Sequence, residues 1–266
     1  MIFDTFQDFM ERWDGSPEGW IAYISNYPEL FEKIKEDYAR YGASWRDYLR
    51  LLDKRKPEEF PKAYERLRGT LPKIAADVER LFGITQNDYN IVIYVGLENG
   101  AGWVTEFKGK PSILFGLEAV AELGWYDGIG GLIAHEFGHL VHWLMRNENL
   151  EKLEEEALMG LYTEGFAQRV EDILTGRPWH LEYDGWFEWC ARNERCLKEE
   201  FARRVRKNEP LNPFFGSWYE LFGMKFTGYY LGYRFIRWLE ETLSFEEIAK
   251  LEKERVRGMI LEFLEG

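Results

Sequence analysis

Apolar residues recur at helical spacing along most of this chain, and one short β-branched run, Ile91-Val92-Ile93-Tyr94-Val95, interrupts them. Such a run, bounded by turn residues, reads as a buried strand. Gly96 to Gly102 reads as a turn region, Trp103-Val104-Thr105-Glu106-Phe107 as a second strand, and Ser112-Ile113-Leu114-Phe115-Gly116, entered through Gly109-Lys110-Pro111, as a third. Upstream, Phe6, Phe9, Met10 and Trp13 share one helical face, and Tyr38, Tyr41, Trp45, Tyr48, Leu49 and Leu52 another. Gly15-Ser16-Pro17 and Lys56-Pro57 punctuate these segments, and a longer helix from about Pro61 to Phe82 carries Leu67, Leu71, Ile74, Val78 and Leu81. From Asp127 the pattern is helical to the end. The expectation is a predominantly helical α+β chain with a small sheet just before residue 127. Its expected domains are an N-terminal helical region, 1–85, and a second domain, 86–266.

With 266 residues, of which 45% are hydrophobic and 30% charged, the chain can bury a sizeable core and stay in water. No apolar run approaches the roughly 20 residues that span a bilayer. The start Met1-Ile2-Phe3-Asp4 lacks the basic and apolar segments of a secretory signal, so a cytoplasmic location and no membrane partner are expected. A net charge of −13 argues against nucleic acid as a partner. The basic run Arg203-Arg204-Val205-Arg206-Lys207 reads as a solvated helix face. The two cysteines, Cys190 and Cys196, lack CxxC spacing and read as free thiols, although their separation leaves a small disulfide loop open.

The motif that carries chemistry is His135-Glu136-Phe137-Gly138-His139. Two histidines four residues apart stand one turn from each other on one helix face, where both imidazoles reach one ion. Glu136 follows the first of them, beside that ion. This is the HExxH arrangement of zinc peptidases. Asp127 is the expected N-cap of the helix, and Leu132, Ile133, Leu140, Val141 and Leu144 give it an apolar side. Gly138 costs up to about 1 kcal/mol inside a helix relative to Ala, which predicts the close approach of another element there. His142 lies on the same stripe but too far along the axis to share the ion, and is expected in the core or behind the ligands.

Catalytic zinc usually has three protein ligands and one open position. A metzincin pattern would need Gly at 142 and His at 145, where this chain has His142 and Met145. A deformylase-like site would need an upstream cysteine. A carboxylate on a later helix remains, and Glu164 is the choice, in a helical run from about Leu153 to Leu174 that Gly176 ends. Ala157, Gly160, Leu161, Glu164, Ala167 and Gln168 share a face whose small residues would let the two helices come close. Glu171 is an outside candidate, and His180 reads as a loop or core histidine able to line the cleft.

HEFGH followed by Glu164 in a Glu-Gly-Phe-Ala context resembles the gluzincin zinc metallopeptidases, and more narrowly small uncharacterised zinc proteases predicted in bacteria and archaea. These tend to carry a late motif similar to Gly228-Tyr229-Tyr230-Leu231-Gly232-Tyr233. The resemblance covers roughly residues 90 to 240. It implies that 86–266 is a zincin-like metallopeptidase domain with Zn2+ held by His135, His139 and Glu164. Peptide or protein substrates would be hydrolysed by a zinc-activated water with Glu136 as general base. Tyr229 and Tyr233, one turn apart, are the candidates for a second electrophile at the developing oxyanion. By analogy with the family, Ile113 to Gly116 would bind substrate backbone by edge pairing. Two other readings stay open: a non-catalytic zinc-binding or interaction protein, and a zinc hydrolase of a non-peptide amide.

Overall fold

The computed structural model describes residues 1–40, 42–49, 57–177, 180 and 185–266. Tyr41, Leu52, Lys56, Pro178 and Trp179 therefore lie outside the described residues. The chain is mostly helical with one small sheet, as the apolar spacing predicts. It divides into two compact units, residues 1–136 and 137–266. The division falls inside a single helix and differs from the expected boundary near residue 85.

The first unit explains why residue 85 is no boundary. Its sheet has the order β1-β2-β4-β3, with β1 (Ile2–Asp4), β2 (Asn90–Tyr94), β3 (Trp103–Phe107) and β4 (Lys110–Gly116). β1, which the helical reading of the N-terminus missed, pairs in parallel with β2 through Ile2↔Ile91 and Asp4↔Ile93. The first residues thus complete the sheet made by residues 90 to 116. β2 pairs in parallel with β4, Ile91 opposite Ile113, and every residue of β2 is buried. β3 and β4 form an antiparallel hairpin whose two turn residues, Lys108 (φ 52°) and Gly109 (φ 69°), both take positive φ, the conformation of a type I′ turn. β4 lies between β2 and β3, so Ile113 to Gly116 form an inner strand and not the expected pairing edge. The rim strand on this side is β3.

Five helices follow in this unit, α1 (Phe6–Arg12), α2 (Pro17–Ile24), α3 (Pro28–Arg40), α4 (Trp45–Leu49) and α5 (Phe60–Phe82). Of the expected apolar faces Phe6, Phe9, Tyr38, Leu67, Leu71, Ile74 and Val78 are buried, Met10 and Leu81 are exposed and α4 buries none of its residues, while Trp20 and Tyr23 of α2 are buried without having been anticipated. Ser16 caps α2 by accepting the Gly19 amide at 3.1 Å. Polar anchors fix these helices to β2. Trp20 Nε1 donates to the Val95 carbonyl at 3.0 Å, the Tyr23 hydroxyl accepts the Val95 amide at 3.2 Å, and Thr5 Oγ1 donates to the Ile93 carbonyl at 3.0 Å. A further helix, α6 (Leu117–Leu123), was not anticipated from the sequence. Its buried Glu118 accepts the Gly96 amide at 2.7 Å and the Glu98 amide at 3.1 Å, which pins the loop that leads into β3.

Helix α7 (Ile129–Arg146) carries the motif. The amides of Gly131 and Leu132 bond the Gly128 carbonyl, so the helix begins one residue beyond the expected cap Asp127. The second unit contains the C-terminal part of α7, then α8 (Glu151–Glu154), a 3-10 turn at Ala157–Met159, α9 (Gly160–Thr175), α10 (Trp186–Lys207), α11 (Asn212–Phe215), α12 (Thr227–Leu239), α13 (Phe245–Ala249) and α14 (Lys253–Glu265). The expected helix 153–174 is thus interrupted before Gly160. Glycine sets its closest contacts. A Cβ at Gly138 would lie 2.5 Å from Cα of Ala167, the close approach that a mid-helix glycine predicts. A Cβ at Gly165 would lie 2.2 Å from the Gly232 carbonyl oxygen, so α9 and α12 touch backbone to backbone. Arg169 Nε donates to both carboxylate oxygens of Glu240, at 2.9 and 3.0 Å.

Cys190 is buried and Cys196 exposed, both as free thiols. Arg203 and Arg204 of the basic run are paired with Glu200, and Arg203 also with Glu209. Among the described residues no helix is long and apolar enough to cross a membrane. Gly165→Ala and Gly232→Ala must each push two backbones apart. Each is expected to lower the stability of the chain by about 1–3 kcal/mol, as overpacking does. Urea unfolding measures this, and an unchanged midpoint would contradict the contact.

Candidate metal centre

His135 and His139 stand one turn apart on α7, and Glu164 is on α9. α7 and α9 run antiparallel in register: Gly138 meets Ala167, His142 meets Tyr162 and Phe166, and His139 meets Glu164. His135, His139 and Glu164 each offer a ligand atom, and the three atoms lie within 4.8 Å of one another. The three residues chosen from the sequence are thus brought together.

One distance bears on the fit to zinc. His139 Nε2 and Glu164 Oε2 are 3.4 Å apart. That is long for an N–H···O hydrogen bond. Two donors at about 2.0–2.1 Å from one ion, at a tetrahedral angle, stand about 3.4 Å apart. Two imidazoles and a carboxylate are also the donor set of a catalytic zinc with one position left open. The residues present fit the ion. Neither cysteine belongs to the group.

Glu136 is 5% exposed and lies against the loop that enters β3. A Cβ at Gly102 would sit 2.5 Å from its Cγ and 2.7 Å from Oε1, so a larger residue there would displace this carboxylate. Glu118 and the Gly116 amide, which bonds the Ala101 carbonyl at 3.2 Å, hold the loop in place. A carboxyl group is seldom this buried, and a buried one beside a cluster of candidate ligands is a candidate functional group.

His142 lies in the core, stacked on Phe166 at 4.2 Å and edge-on to Tyr162 at 4.8 Å. Burial, with Arg146 and His139 nearby, holds its ring well below the usual imidazole range, so it is neutral. Tyr233 donates to Asp172 Oδ2 at 3.1 Å. Asp172 is eight residues beyond Glu164, about 12 Å further along α9. The Tyr229 ring packs on Phe215 and Phe226. Phe215 also lies against Gly160, one turn before Glu164, which puts Tyr229 at that end of α9, whereas the Tyr233 hydroxyl is directed to Asp172.

A second group was missed as such. His135, Glu171 and His180 also offer ligand atoms within 4.8 Å of one another. Glu171 is 1% exposed, and its Oε2 lies 2.8 Å from His180 Nδ1. Burial pushes His180 down to about 3, with Glu164 raising and His139 lowering it. The signal in the sequence was the seven-residue spacing of Glu164 and Glu171, two turns on one face of α9, which matters only once α7 is known to lie along that face.

No family model, no curated protein and no solved structure matches the chain. The chain is expected to take up one equivalent of zinc, measured by equilibrium dialysis with metal analysis. His139→Ala and Glu164→Ala should each lose most of it. Full uptake by both variants would contradict the assignment.

Proposed function

We propose that the protein is a zinc-dependent metallopeptidase of the gluzincin type, with a zincin-like core, acting on peptide or protein substrates. The observation that carries this reading is the group His135, His139 and Glu164, with the 3.4 Å spacing of His139 and Glu164 suited to a shared ion. When bound, zinc supplies a Lewis acid that makes water nucleophilic near pH 7 and polarises a carbonyl.

The roles of the chain's own residues follow from chemistry and position. His135, His139 and Glu164 hold the ion. Glu136 takes the proton of the attacking water and passes it to the leaving amine. The close approach of Gly102 to the Glu136 side chain supports this role, since it limits where the carboxylate can move. β3 begins next to this loop and forms a rim of the sheet, so it replaces Ile113 to Gly116 as the strand on which an extended substrate would lay its backbone. Of the two tyrosines, Tyr229 is retained as the candidate electrophile. Tyr233, bonded to Asp172, is assigned to the α9–α12 contact.

Mass-spectrometric cleavage profiling of a mixed peptide library tests the proposal. The zinc-loaded protein should cut peptides, and the positions of the cuts separate endopeptidase from exopeptidase action. Glu136→Gln should lower kcat by about 10²–10⁴-fold with zinc retained, the usual contribution of a general base. Gly102→Ala should also retain zinc and lose about 10²-fold through displacement of the carboxylate. If the zinc-loaded wild type cuts nothing, the peptidase reading fails, and a non-peptide amide or a non-catalytic zinc protein takes its place.

A further inference from the structure

Among the described residues the exposed aromatic side chains are Trp218, Tyr219 and Phe222, all in one short stretch between α11 and α12. Every other described aromatic is at least half-buried. The stretch is a tight hairpin. Leu221 and Met224 exchange backbone hydrogen bonds of 2.8 and 3.0 Å and are buried, whereas Trp218 is 72% and Phe222 59% exposed. The two turn residues, Phe222 (φ 55°) and Gly223 (φ 83°), both take positive φ, the form that Asn-Gly suits best. A bulky residue is strained there. The backbone thus favours Asn, and the chain instead puts at the tip a ring that fills no core. Below the tip, Trp186 Nε1 donates to the Lys225 carbonyl at 2.9 Å, so the hairpin has an anchored base. Clustered exposed apolar groups mark docking surfaces, and Trp and Tyr lead among the residues that carry binding energy.

Position and charge say what these rings meet. Phe215, which precedes the hairpin, lies against Gly160 and Gly228, and Phe226, which ends it, packs on Tyr229. Both ends of the hairpin thus belong to the part of α9 that carries Glu164. Four residues separate Phe226 from Phe222, so the tip stands within about 14 Å of that base. Residues 217–226 hold one acid, Glu220, and one base, Lys225, so the surface is neutral and selects apolar groups rather than charge. A net charge of −13 disfavours an anionic membrane as the occupant. Building on the peptidase reading, we propose that this hairpin is an exosite on which apolar segments of unfolded polypeptide substrates dock while a bond elsewhere in the same substrate is cut. Folded proteins bury such segments, so the surface favours non-native chains. A second point of attachment adds affinity for long substrates and contributes nothing to the chemical step.

The test uses the full zinc-loaded chain and two substrates: a short peptide that it cuts, and a reduced, carboxymethylated protein that stays unfolded. Trp218→Ser and Phe222→Asn are combined. Phe222→Asn restores Asn-Gly at the turn and is expected to keep or raise stability, so misfolding cannot mimic its effect. The double variant should raise KM for the unfolded protein by about 10-fold, the loss of one good aromatic anchor, with kcat unchanged and the short peptide cut as before. Binding of the same unfolded protein to Glu136→Gln, followed by fluorescence anisotropy, should weaken by the same factor when the two substitutions are added, and should persist at high salt. Equal KM in wild type and double variant would overturn the proposal. A parallel loss on the short peptide would also overturn it, because the rings would then belong to the cleavage site. So would a wild-type dimer that the double variant abolishes, which would make a second copy the occupant, or capture of the protein by phosphatidylcholine vesicles through these rings, which would make it a lipid surface. If the wild type cuts neither substrate, the peptidase reading itself fails, and the binding measurement still decides whether the hairpin takes unfolded chains.

Discussion

The contact of Gly138 with Ala167 is the constraint on which the candidate centre depends. It brings α7 and α9 to backbone distance, and only a residue without a side chain permits it. A helix-interior glycine costs about 1 kcal/mol relative to Ala. The return is register. With the two helices locked antiparallel at this point, the residues one turn to either side have fixed partners: His139 meets Glu164, and His142 fills the core against Tyr162 and Phe166. A wider spacing, filled by a larger side chain, would leave the carboxylate short of the imidazole.

Similar logic recurs in each unit. In the second, Gly165 and Gly232 let α12 rest against α9, and the bond from Arg169 Nε to the Glu240 carboxylate holds the far end of that contact. In the first, the buried β2 strand is tied to helices α1 and α2 through Thr5, Trp20 and Tyr23, while Glu118 holds the loop after it. That loop delivers Gly102 to Glu136. Rigid elements therefore stand behind each side chain that the proposed chemistry uses, as precise positioning requires.

Much of this was legible in the sequence, for physical reasons. Two histidines four apart define a metal-binding face whatever the tertiary fold, and Glu164 followed from the small residues around it. Strands 90–94 and 103–107 were legible because β-branched and aromatic residues cluster between turn residues. β1 was not, since three residues carry no periodicity and Ile2–Asp4 becomes a strand only when β2 is there to pair with it. The strand order was also hidden. Residues 112 to 116 read as a strand, but nothing local says that β3 folds back to cover them. Glu171 and His180 were each noticed singly, and their link to His135 exists only through the register of two helices. The bond of Tyr233 to Asp172 was also hidden, because it joins two helices far apart in sequence.

The most direct test of the central claim is anomalous diffraction at the zinc absorption edge from crystals grown with zinc. The account predicts one strong peak bonded to His135, His139 and Glu164 at about 2.0–2.2 Å. A peak seated instead among His135, Glu171 and His180, or no peak near α7 at all, would contradict it.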